Sequence, residues 1–129
     1  MADWPDVEVV LVAALGAEFT GATVSTETGN DLLDLLPFIK VERSGGGDDG
    51  FRLDRPLVDI DVYAASRLEA TALAEQIRTF VLRTLRGSTT HGAAIGRTST
   101  VSAPANRPYD NTGLRRCGAT YELFLHPVS

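Results

Sequence analysis

The chain has a single cysteine, Cys117, in 129 residues. No internal disulfide can form, and a chain of this length can bury enough surface to do without one. Lysine is equally scarce: Lys40 stands alone among twelve basic residues. There are two histidines, His91 and His126, and they lie too far apart for metal-ligand spacing. Cys117 has no signature histidine near it, which leaves it a packing residue rather than a nucleophile. No apolar run approaches the ~18 residues of a membrane span. The N-terminus lacks a basic region, and Asp6 and Glu8 interrupt its apolar stretch, so it does not read as a signal peptide. Positive charge is also short, with a net charge of −5. An acidic chain is a poor general binder of nucleic acid, although a polyanion can pass such a surface without adhering.

The clearest pattern runs from Arg55 to Gly87. Val58, Ile60 and Val62 alternate with Asp59, Asp61 and Tyr63, the period of a half-buried strand. Ser66 and Glu69 then form a capping box. Leu73, Ile77, Phe80, Val81 and Leu85 recur at helical spacing, and Gly87 follows as a C-cap, which predicts a helix over 66–86. Trp4-Pro5-Asp6 opens an earlier helix whose Val7, Val10, Leu11, Ala14 and Leu15 make one apolar stripe. Its valines leave a strand as the competing reading.

Between these helices, residues 23–27 and 37–43 read as strands, joined by a turn over 28–36 with room for one short helical turn. Residues 44–50, SGGGDDG, read as a mobile hairpin tip before the strand at 51–63. Residues 95–102 fit an exposed or edge strand, 104–113 a polar loop, and 116–125 a final strand. In that strand Ala119, Tyr121, Leu123 and Leu125 share one face, with Thr120, Glu122 and Phe124 on the other. The order α-β-β-β-α-β-β predicts one α+β domain over 1–129. It is an antiparallel or mixed sheet of four to five strands with two helices packed on one face.

Few constellations suggest chemistry. Asp59 and Asp61 share a strand face about 7 Å apart, which suits a hard cation or an acid/base pair, but also solvated carboxylates or partners for cations such as Lys40. The glycine run is not a phosphate cradle, because no Gly-Lys-Ser/Thr closes it. Arg115 and Arg116 fit a phosphate backbone or an ordinary ion pair. Residue patterns alone therefore stop at an α/β domain with an acidic surface.

Three segments go further: LLPFIKVERSGGGDD at Leu35–Asp49, DRPLVDIDVYAASRLEATALAEQI at Asp54–Ile77, and RPYDNTGLRRCGATYELFLHP at Arg107–Pro127. In order and spacing they resemble the tail terminator proteins of long-tailed, siphovirus-type bacteriophages, with the nearest likeness in phages of actinobacterial hosts. The excess of Arg over Lys agrees with a GC-rich genome. The resemblance implies a non-enzymatic virion protein that needs no cofactor or metal. It implies a homohexameric ring that caps the head-proximal end of the tail tube, stops its polymerisation and docks the head–tail connector. DNA would pass through the lumen without specific binding, and no membrane is involved.

With those partners in view, two loops, 44–50 and 104–114, become candidates for axial docking, through Arg43, Asp48, Asp49, Arg52, Arg107, Tyr109 and Asp110. Asp59, Asp61, Tyr63, Arg97, Glu122 and Phe124 become candidates for a subunit interface or the lumen. Two readings stand beside this one: a head-completion or connector subunit of the neck, and a small metal-dependent enzyme using Asp59 and Asp61.

Overall fold

The structure is a computed structural model, and it describes residues 4–109 and 113–128. Helix α1 spans Val7–Glu18. The Asp6 carboxylate caps it, accepting from the N–H groups of Glu8 at 2.9 Å and Val9 at 3.4 Å. Val7, Val10, Leu11, Ala14 and Leu15 are all buried, as their spacing predicts. Cap and stripe together outweigh the weak helix propensity of the valines. A short strand, β1 (Thr23–Ser25), leads through a 3-10 turn at Leu32–Leu35 into the hairpin of β2 (Phe38–Asp48) and β3 (Asp54–Ala64).

Helix α2 covers Arg67–Thr79 and continues as a π-helical segment, Phe80–Leu85, so the predicted 66–86 helix is present with a change of pitch. The Ser66 hydroxyl accepts from the Glu69 N–H at 3.2 Å, the forward half of the capping box. Strand β4 (Thr89–Thr90) is minimal, β5 (Ala93–Arg107) is the longest, and β6 (Arg115–Pro127) closes the described fold.

The sheet has six strands, not four or five, in the order β1-β2-β3-β6-β5-β4. The additional strand is β4, of only two residues, while the strand expected over 23–27 is present as β1 with three. Only the β1–β2 pair is parallel, which makes the sheet mixed. Both helices bury their apolar stripes in one cluster with Ile39, Val41, Val58, Ile60, Val62, Ala119, Tyr121 and Leu123, which places them on the same face. An edge-to-face contact of Phe19 with Phe80, centroids 5.7 Å apart, ties α1 to the π-helical segment. Each fully buried Leu or Ile in such a cluster contributes about 1.5–3 kcal/mol.

Two loops are shorter than expected. The glycine run does not form a mobile tip; β2 continues through it to Asp48, and the tip falls at residues 49–53. The pairing register shifts between Arg43 and Gly45, and Gly46 takes φ +99° against the backbone of β3. A Cβ at Gly46 would overlap the Arg55 carbonyl, so glycine permits a close strand approach there. Similarly, residues 104–107 belong to β5 rather than to a loop. Pro104 falls where the register of β5 against β6 shifts, between Ser102 and Ala105, the kind of irregularity at which a strand tolerates proline.

A smaller apolar cluster, Leu32, Phe38, Tyr63 and Leu114, lies on the sheet face away from the helices, with Leu35 and Leu36 packed against it. It buries Tyr63 to 3% exposure and accompanies the burial of Asp61 to 4%. Neither residue therefore stands on an open face, as strict alternation along β3 suggested. The 3-10 turn and Leu114 cover that end of the sheet.

Candidate functional site

The helix-free face carries the densest polar arrangement in the molecule. β3 projects Asp61, and β5 and β6 bring Arg107 and Arg116 to it. Arg107 Nη1 lies 3.2 Å from Asp61 Oδ1, and Arg116 Nη2 lies 2.8 Å from Asp61 Oδ2. Gly118 sits opposite Asp61 on β6, and a Cβ there would collide with the Asp61 carboxylate and the Arg107 side chain. The Arg116 guanidinium also lies 5.9 Å over the Tyr63 ring, and Tyr63 packs edge-to-face on Tyr109 at 5.3 Å. Burial is the largest influence and works against the Arg116 charge, but the hydrogen bond to Asp61 and the charge of Asp61, helped by Tyr63 and Tyr109, together outweigh it and raise the pKa. Burial also raises the Tyr63 pKa, with Arg116 opposing. A cleft of about 280 Å³ opens beside this cluster, between Arg107, Tyr109, Leu114 and Arg116.

Asp59 is close by and accepts a short hydrogen bond from Thr120. The two aspartates thus spend their oxygens on a hydroxyl and two guanidiniums, a structural use rather than a cation site. Among the described residues no three His, Cys, Asp or Glu side chains converge as metal ligands would. Cys117 is buried, and its burial raises the thiol pKa, which keeps it an inert packing group.

The second feature is the β2–β3 hairpin. Arg43 and Asp54 form a two-pronged pair at 2.7 and 2.8 Å, and Arg43 Nε donates to the Gly45 carbonyl at 2.9 Å, holding the bulge. The hydrogen bond to Asp54 raises the Arg43 pKa against its partial desolvation. At the tip, Asp49 Oδ1 accepts from the N–H groups of Phe51, Arg52 and Leu53 at 2.8–2.9 Å. These bonds, with that from Arg52 foremost, hold its carboxyl below the usual range. Asp48 accepts from the Gly50 N–H at 2.7 Å, and Arg52 donates to the Pro127 carbonyl at 3.2 Å. The tip is thereby fixed with the Phe51 side chain projecting, 69% exposed. Trp4 donates to the Phe51 carbonyl at 3.3 Å.

The remaining predicted residues lie elsewhere. Arg97 is exposed on β5 and sits 5.8 Å over the Phe124 ring of β6. Glu122 is half-buried on the same face of β6, opposite Ser99 and Leu57. Of the proposed axial residues, Arg43, Asp48, Asp49 and Arg52 gather at the hairpin. Arg107 and Tyr109 join the Asp61 cluster instead, and Asp110 lies outside the described residues. Sequence reasoning missed the groove of about 530 Å³ between α1 and β1, lined by Asp6, Glu8, Val9, Val12, Ala13 and Val24. Its signal was available: Val9 falls off the buried stripe of α1 and is 63% exposed. Phe51 was missed as well, because the tip was expected at 44–50 and lies at 49–53.

A fold with one helical layer, an opposite sheet face bearing a fixed ion cluster, and a stiff projecting hairpin presents several distinct surfaces to neighbours. In comparisons with known proteins, a family model described as phage tail termination protein matches residues 3–123. No curated protein matches the chain in sequence. Fifteen chains of solved structures match it in fold. One belongs to the virion of a native gene transfer agent particle, at TM-score 0.63 and 12% identity, covering 93% of this chain and 94% of that one. At that identity the likeness is one of fold, a mixed α+β domain. With 121 of its 129 residues inside the matched span, the chain belongs to the phage tail termination protein family.

Proposed function

We propose that this chain is the subunit of a ring, six-membered in the resembling phages, that closes the head-proximal end of a long tail tube. It ends tube polymerisation and then offers the head–tail connector its docking surface, with DNA passing through the lumen. The observation that carries this reading is the family match over nearly the whole chain. The geometry agrees with it. A closed ring needs two different lateral surfaces on each subunit and two axial ones. The sheet has two unlike edges for the lateral contacts, and the stiff hairpin tip with Phe51 suits an axial contact. The abundance of carboxylates lets a polyanion slide past rather than adhere.

The test is to add purified chain to elongating tail tubes and follow tube length and end occupancy by electron microscopy. Capped ends and arrested elongation are expected. Tubes that keep growing with bare ends would overturn the reading. Labelled virions separate the tail terminator from a neck subunit on the portal side, because the label must sit directly on the tube end.

A further inference from the structure

Charge is unevenly spread along the chain, and the fold turns that unevenness into a polarity across the sheet. Residues 4–49 carry nine carboxylates against two cations, Lys40 and Arg43. Residues 76–109 carry five arginines and no carboxylate at all. The first segment builds α1, β1 and β2, and the second builds the π-helical segment, β4 and β5. In the order β1-β2-β3-β6-β5-β4 the strands of the first segment lie at one edge of the sheet and those of the second at the other, while the C-terminal end of α1 meets the π-helical segment over the helical face. One edge is therefore acidic and the other basic.

Both edges are open. β1 pairs only with residues 38–40 of β2, and β4 pairs only with residues 93–94 of β5. On the acidic side the groove between α1 and β1 has an apolar floor of Val9, Val12 and Val24, beside the carboxylates of Asp6 and Glu8. On the basic side β5 exposes Val101 at 57%, and Arg83, Arg86 and Arg97 stand in solvent. None of those three arginines forms an ion pair with a described carboxylate. Strand addition is a poor way to join these edges. β5 breaks register with β6 at three places and contains Pro104, and the Glu8 carboxylate already accepts the Arg43 N–H on the β2 edge at 2.8 Å. Side chains have to make the contact, and there charge decides orientation.

We infer that the acidic α1–β1 edge of one copy docks against the basic β5 edge of the next, head to tail, with Val101 facing the apolar groove. The occupant is a second copy of this chain because it alone supplies the complementary edge by construction. Like edges repel, so a two-fold pairing through either edge is disfavoured and only a directional contact remains. The inference rests on the proposed ring and names the surfaces that form it.

The test uses two reversed variants, each checked for native circular dichroism. One carries Glu27→Arg, an exposed residue just past β1 with no described side-chain bond. The other carries Arg86→Glu and Arg97→Glu. Self-association is read by sedimentation at low salt, up to about millimolar chain. Each variant alone should associate at least about tenfold more weakly than the native chain. Mixed one to one they should recover, because acidic now meets basic at every joint of an alternating assembly. Variants that associate as well as the native chain, or folded variants whose mixture does not recover, overturn the inference.

A second measurement needs no substitution. Raising salt from about 0.02 to about 0.5 M shortens electrostatic reach several-fold and should dissociate the native assembly. Indifference to salt, or a native chain that stays monomeric at low salt, overturns it. Tube-end capping without salt-sensitive self-association would sink this inference and leave the proposed function standing. The reverse result would do the opposite.

Discussion

At the scale of single residues, Asp61 is the side chain on which most depends. It is nearly buried and serves two arginines that are each about a quarter exposed. Removing it leaves two guanidiniums beside each other with no counter-charge. Asp61→Ala should cost about 2–4 kcal/mol in urea unfolding, less than a fully buried pair because water reaches both arginines. Gly118→Ala should also destabilise, because its Cβ meets the same carboxylate. The two changes should not add: with Asp61 truncated, the added methyl gains room, and the double-mutant cycle should show that coupling. Tyr121 gives a prediction of another kind. Its buried hydroxyl is pushed up to about 12, chiefly by desolvation, so the folded state keeps a proton that the unfolded state gives up near 10. Stability from this group is whole below pH 10 and falls as pH rises toward 12, by up to about 2 kcal/mol. Tyr121→Phe should remove most of that alkaline loss in a pH series of thermal melts, and Tyr63, raised more modestly, should account for part of the rest.

At the scale of elements, the β2–β3 hairpin is held by backbone fit as much as by side chains. Gly46→Ala puts a methyl against the Arg55 carbonyl at a φ that L side chains rarely adopt. It should cost about 2–4 kcal/mol and speed hydrogen exchange across residues 43–57 more than in the helices. Phe51→Ala should behave in the opposite way. The side chain is exposed and touches little, so stability should hold within about 0.5 kcal/mol while binding to tube or connector weakens in a pull-down. The same hairpin shows what the sequence could and could not reveal. Val58, Ile60 and Val62 sit on the buried face as their alternation required, and the Ser66 cap and the helical stripe behind it are where they were expected. Three consecutive glycines signalled freedom, yet the middle one, Gly46, supplies closeness between two strands, and no local rule distinguishes those uses. Tyr63 and Asp61 were misread for a related reason. Period-2 alternation assigns a residue to a face but not to a covered or an open part of it. The cover here comes from Leu32 and Leu114, distant in sequence.

At the scale of the whole molecule, the family and layer arrangement were legible because they rest on long, regular segments. The polarity between the two sheet edges was not. Counting charges along the chain gives an acidic beginning and a basic later stretch, but only the strand order puts the strands of those stretches at opposite edges. That order also shapes how the proposed ring should come apart. In an open chain of subunits every contact is bimolecular, whereas the last contact of a ring closes within one particle at high effective concentration. The closed species therefore gains one contact without another subunit's loss of free motion. Raising salt weakens all joints together, and a ring with one broken joint loses that closing advantage at once. Sedimentation across a salt series should show two main species, ring and monomer, with open dimers and trimers scarce at every point. A smooth ladder of intermediates would mean that the edges join without closing, as a helical filament does, and would count against a ring that stops a tube at one defined end.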